Sequence, residues 1–316
     1  MRRLTLLFVI CLFLVACESI ALLSTPKKQA LDSKNNLAQV AEQFFWKTLH
    51  QGNYKNIDAS IRLLMIAYLK NPYDPKLAAH LGFMHLWKIT ERSVKPNPRM
   101  PDEIILARKY FEDAVMLAPN NAIYLGFLGD AQLVEGKIFA DKREQVKGYY
   151  QLKRAISSWP QFNYFTAGYP MSTLSSHSTL FKETLEWQWN TLDLCAGQKV
   201  NRQNPDFSPF MSKEIKTGPY RACWNSWIAP FNFEGFFLNM GDMLVKAGQW
   251  QTAIRIYQNA KLTNNYKSWP YRKFLEERIV NAQVNTKVFQ KDNYGKQAIL
   301  FNSGYGCQVC HKQAAS

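Results

Sequence analysis

The chain has 316 residues, 47% of them apolar and 14% aromatic, with 39 lysines and arginines against 24 acidic residues and a formal net charge of +15. That length and apolar content suit a globular protein of one large domain or two small ones, with a sizeable core. The basic residues are dispersed, with no arginine-rich tract, basic region or RNA-binding aromatic pair, so nucleic acid is not an expected partner and the charge reads as surface steering toward anionic lipid or acidic protein.

The chain opens MRRLTLLFVICLFLVAC: two arginines, an apolar run from Leu4 to Val15, and Ala16 before Cys17. The run falls short of the roughly 20 apolar residues that span a bilayer core, so it reads as an export signal and not as a membrane helix. Leu14-Val15-Ala16-Cys17 resembles the bacterial lipobox, after which the cysteine carries lipid and becomes the first residue of the mature protein. Glu18 stands where the inner-membrane retention signal usually has Asp, so the resemblance implies an outer-membrane anchor at Cys17 facing the periplasm. Cleavage without lipidation is the other reading of these residues. Residues 1–16 are thus expected to be signal and 17–34 a linker, with net charge falling to about +13 once Arg2 and Arg3 are removed.

From residue 35 the apolar pattern is helical and repeats. LAQVAEQFFWKTL pairs with a second run carrying Ser60, Leu64, Ala67 and Pro72; Leu81-Gly82 opens the next helix. After the insertion SVKPNPRMPDE, its partner carries Ala107, Phe111, Ala114 and Pro119, and after Leu128-Gly129 come Gly148, Leu152, Ala155 and Pro160. Pro119 and Pro160 are expected to end their helices, because proline cannot continue one and restricts the residue before it. A further unit, Met240 to Leu262, places Met240, Gly241 and Leu244 on a first helix, Gly248 at the turn, and Ala253, Tyr257 and Ala260 on one face of a second. These spacings resemble the tetratricopeptide repeat over residues 35–168 and 236–280. The resemblance implies an all-α helix-turn-helix solenoid with a concave groove that holds a peptide or protein partner. Apolar residues at these positions, Trp46, Phe111 and Tyr257 among them, read as packing between helices.

Residues 169–235 differ. LEWQWNTLDLCAG is helix-like; the following QNPDFSPFMSKEIKTGPYRACWNSWIAPFNFEGFF is rich in Pro, Gly and aromatics with little helical period. Such a stretch inside a solenoid either walls an apolar pocket or is an elaborated repeat with a long loop. Once Cys11 leaves with the signal and Cys17 carries lipid, four cysteines face an oxidising compartment, and their even count suggests pairing. Cys195 with Cys223 would close a loop within this segment; two separate buried thiols are the alternative.

Signatures of hydrolases, phosphate loops and dinucleotide sites are absent from the sequence. His80 and His85 are five apart, roughly 140° round a helix, so they would not chelate one metal. Chemistry is left to the closing tail, residues 291–316, which follows a repeat and capping helix over 236–290.

The tail ends GYGCQVCHKQAAS. Cys307, Cys310 and His311 form C-x-x-C-H, which resembles the attachment motif of c-type cytochromes: two thiols for thioethers to haem c and an adjacent imidazole for the iron. A Cys307–Cys310 disulfide or redox pair is the competing reading, and a zinc site lacks a fourth ligand nearby. Since no His or Met follows His311, a sixth iron ligand must come from upstream, where the candidates are His50, His80, His85, His177 and Met211, with Met211 favoured and His177 its rival, or the position is open or filled by a partner. The expectation is an outer-membrane repeat lipoprotein that carries one haem c, docks a protein partner and exchanges electrons with it. The alternative is a non-redox repeat adaptor for envelope assembly with a Cys307–Cys310 disulfide; a haem-based sensor or small-ligand enzyme is a third class, should the sixth position be open.

Overall fold

A computed structural model of the chain describes residues 20–21, 23–90, 99–291 and 306–314. Among the described residues the fold is all-helical and solenoid-like, with no strands. Five successive helix hairpins form its body: α1 (Asn36–Gln51) with α2 (Ile57–Lys70), α3 (Pro75–Thr90) with α4 (Met100–Leu117), and α5 (Ala122–Ile138) with α6 (Lys142–Ser158). They continue with α7 (Pro160–Met171) and α8 (Thr179–Ala196), then α9 (Asn232–Lys246) and α10 (Trp250–Asn259). Two short helices, α11 (Arg272–Val280) and α12 (Ala282–Phe289), cover the last hairpin, and a single turn, α13 (Gln308–His311), carries the cysteine motif.

Local chemistry sets the helix limits. The side chains of Asn35, Asn121, Asp141 and Ser178 each accept a backbone N–H in the first turn of the helix that follows, satisfying donors a helix start leaves orphaned. α4 stops at Leu117, ahead of Pro119, and α6 at Ser158, ahead of Pro160, which becomes the first residue of α7. Residues 31–33, expected as linker, are pinned: Leu31 N–H donates to Tyr73 O (2.8 Å) and Ser33 N–H to Asp74 Oδ2 (2.8 Å).

Within the hairpins, small residues let the helices close. A Cβ on Gly82 would lie 3.0 Å from the Phe111 ring, and one on Gly241 only 2.1 Å from the Tyr257 ring. Phe111 and Tyr257 are fully buried, each removing an aromatic side chain from water for about 1.5–3 kcal/mol. The apolar clusters follow one another along the chain, from Phe45, Leu64 and Leu81, through Ile104 and Phe111, to Leu152 and Trp187, and then a larger C-terminal core around Phe237, Tyr257 and Trp269.

Of the stretch 169–235, residues 179–196 form α8 and pack against α7, so this part extends the stack of hairpins. The irregular remainder carries two 3-10 turns, Ser208–Phe210 and Pro219–Cys223, and packs on α8 and α9. Its aromatics are core: Phe207, Trp224 and Phe231 are at most 4% exposed. Cys195 and Cys223, 5.5 Å apart at Cα, form a disulfide that ties this strap to the end of α8. Tyr220 and Trp227 are the exceptions, at 40% and 62% exposure.

Candidate functional site

The Cys307–His311 turn is wedged between the first hairpin and the C-terminal core. Val309 is completely buried among the core residues, and its carbonyl accepts the indole N–H of the buried Trp269 at 2.8 Å. The Cys310 carbonyl accepts Phe231 N–H at 3.0 Å, and Tyr271 OH donates to Gln308 Oε1 at 3.1 Å. On the opposite side, Gln308 Nε2 donates to Gly52 O (3.3 Å) and Gln313 N–H to His50 O (2.8 Å). Gly52 ends α1 in the left-handed conformation, φ 60°, and a Cβ there would sit 2.7 Å from Gln308 Oε1; both its backbone and the approach of the tail favour glycine. The tail thus clasps two regions remote in sequence.

His311 Nδ1 donates to the carbonyl of Ile228 at 2.7 Å. Its Nε2 has no hydrogen-bond partner among the described residues, so the tautomer set by Ile228 leaves a bare lone pair on that nitrogen. Part of the residue reaches the surface, but protein crowds the ring, and this desolvation, reinforced by the nearby His50, lowers its pKa to about 4. The imidazole is neutral at physiological pH, as a metal ligand must be.

Cys307 and Cys310 are not joined to each other by a disulfide. Spacings of three and four put both on one face of the turn with His311. Cys307 is half-buried against the N-terminal core, its sulfur 3.9 Å from Thr90 Oγ1. Cys310 belongs to the C-terminal core, its sulfur 3.8 Å from Tyr169 OH and so near α9 that a Cβ on Gly235 would lie 2.3 Å from it. Burial pushes the Cys310 thiol up to about 12, the neighbouring Glu234 carboxylate adding to the effect, so this thiol is protonated and inert in the docked tail.

The donor set fits haem at the iron: a neutral imidazole, its Nδ1 pinned by a carbonyl and its Nε2 bare, is the arrangement of a metal-bound histidine before the metal arrives. At the thioether positions, attachment requires both sulfurs to exchange their present neighbours for the haem edge. Among the described residues no group of three or more His, Cys, Asp or Glu side chains could hold a bare metal ion.

Of the two favoured sixth-ligand candidates, His177 is exposed on the turn before α8, and Met211 is half-buried against the C-terminal core; the backbone and side-chain groups that hold the motif come from the end of α1, the 228–231 strap and the 269–271 turn. Cys17 and the export signal lie outside the described residues. No helix among the described residues is long and apolar enough to cross a membrane. The histidine found beside His311 is His50, whose Nε2 meets the same Ile228 carbonyl at 3.4 Å. His50 thus shares the carbonyl that fixes the His311 ring. His50 also edges a surface cavity of about 360 Å³ walled by Trp46, Trp227 and Gln313.

Fold and site together define a class: an all-helical, solenoid-like protein whose C-terminal thiol-and-imidazole turn is clamped across the first and last hairpins. The chain matches no protein-family model, and no curated protein is similar to it.

Proposed function

We propose that the protein is a tetratricopeptide-like repeat lipoprotein and a c-type cytochrome, anchored through Cys17 at the periplasmic face of the outer membrane and transferring electrons to or from a protein docked on its repeats. Cys307 and Cys310 would hold haem c by thioethers and His311 would bind its iron, and the group, when bound, supplies one-electron chemistry. The observation that carries this reading is the hydrogen bond from His311 Nδ1 to Ile228 O, which leaves a neutral ring with its Nε2 lone pair available on the same turn as Cys307 and Cys310. The chain's own contribution is orientation. Ile228 fixes the ring, the contacts of Trp269 and Phe231 hold the turn, and the surrounding core restricts water. Expression in a host with cytochrome c maturation tests it: a pyridine haemochrome spectrum typical of two thioethers is expected, and export without haem refutes it.

A second reading has its own support. The tail bridges His50 to Gln313 across 263 positions, a clasp suited to a non-redox adaptor held in one shape. In that reading Cys307 and Cys310, which share a face of the turn, pair as a disulfide once their sulfurs leave their present packing, Cys307 against the N-terminal core and Cys310 in the C-terminal one. The haemochrome measurement separates the two.

A further inference from the structure

We propose that His50 and Gln313 are positioning residues for His311, acting through the carbonyl of Ile228 to hold its ring in the Nδ1–H tautomer; the inference rests on the haem reading above. Three contacts form one chain. His311 Nδ1 and His50 Nε2 meet the same carbonyl oxygen, at 2.7 and 3.4 Å, and Gln313 Nε2 lies 3.3 Å from His50 Nδ1. A carbonyl only accepts, so both imidazole atoms facing it must carry hydrogen. His50 therefore has its proton on Nε2 when neutral, and its Nδ1 is the acceptor that the Gln313 amide requires. Every donor in the chain has an acceptor in one arrangement only. That arrangement leaves His311 Nε2 as the bare atom.

The surroundings hold His50 in register. It is 7% exposed, with its ring 4.8 Å from Trp227 in an edge-on contact and 5.7 Å from Trp46. Trp227 immediately precedes Ile228, so the aromatic contact that fixes the His50 ring also fixes the strap bearing the shared carbonyl. Gln313 is anchored separately by its backbone N–H to His50 O. Histidine ligands depend on such outer partners for their ring orientation and basicity.

Two measurements test this on the full chain. In haem-free protein, ¹⁵N chemical shifts of His311 should report the pure Nδ1–H tautomer. His50→Phe, which keeps an aromatic ring between the two tryptophans, should turn it into a mixture, and His50→Gln, whose amide can both donate and accept, should restore it. Gln313→Ala, at an exposed position, should weaken the preference with no change in fold. An unchanged His311 tautomer in both His50→Phe and Gln313→Ala overturns the proposal. In haem-loaded protein, His50→Phe should lower the iron–histidine stretching frequency in resonance Raman spectra and shift the reduction potential, with His50→Gln close to wild type; no change in either also overturns it. Failure to load haem overturns the haem reading alone, because the tautomer measurement needs no haem.

Discussion

Gly235→Ala is expected to loosen the clasp while sparing the body of the fold. The new Cβ would stand 2.3 Å from Cys310 Sγ and 3.1 Å from Val309 Cγ1, and the tail backbone at Val309 C is only 3.4 Å away. Sulfur rotation alone does not clear both contacts, because Val309 is itself fully buried. Overpacking of this kind costs about 1–3 kcal/mol. Alanine is also better than glycine within a helix by about 0.5–1 kcal/mol, but docked and undocked states share that gain, so it cancels from the docking equilibrium. A cost of about 1–3 kcal/mol multiplies the undocked fraction by roughly 5 to 150. The assay is maleimide labelling of Cys310 in haem-free protein, followed by mass spectrometry of the C-terminal peptide. Cys310 should be protected in the wild type and label 5- to 150-fold faster, to order of magnitude, in the variant, while Tm moves little. Equal Cys310 labelling rates would refute the packing argument.

Further outcomes follow from other parts of the molecule. Removing the Cys195–Cys223 bridge by the double alanine substitution frees a loop spanning 28 positions and should cost about 3–4 kcal/mol in urea unfolding; a loss under ~1 kcal/mol would mean that packing alone holds the strap. Glu234 is completely buried, and burial raises its pKa from 4.5 to about 7, so the unfolded chain releases this proton more readily than the folded one. Its folded-state advantage is complete below pH 4.5 and is lost as pH rises through about 7, on the order of 3 kcal/mol in all. Glu234→Gln should therefore flatten the stability profile between these pH values, and an unchanged slope would contradict the assignment. Cys17→Ser should move the protein from the membrane fraction to the soluble periplasm; unaltered detergent partitioning would exclude the lipid anchor.

The hairpins were legible because their signals are local. Ala107, Phe111 and Ala114 share a helix face, Gly241 admits Tyr257, and Pro119 and Pro160 stop helices where expected. The start of α9 was not, since Asn232–Gly235 follows Pro230 in an aromatic-rich run whose period is obscured by burial on every side. The cysteine-histidine motif could be read directly; its seat could not. Ile228 lies 83 positions from His311 and His50 meets that same residue across 178, contacts that arise only when the last hairpin and the tail close onto the first. Trp269, which holds Val309, had no spacing signal because a single indole N–H leaves no periodic mark.

Whether Cys307, Cys310 and His311 hold haem is decided by mass spectrometry of the C-terminal peptide from protein exported with cytochrome c maturation active. One haem covalently attached to that peptide through both cysteines is expected, with neither open to alkylation. A peptide lighter by two hydrogens, marking a Cys307–Cys310 disulfide, or one with both thiols free would contradict it.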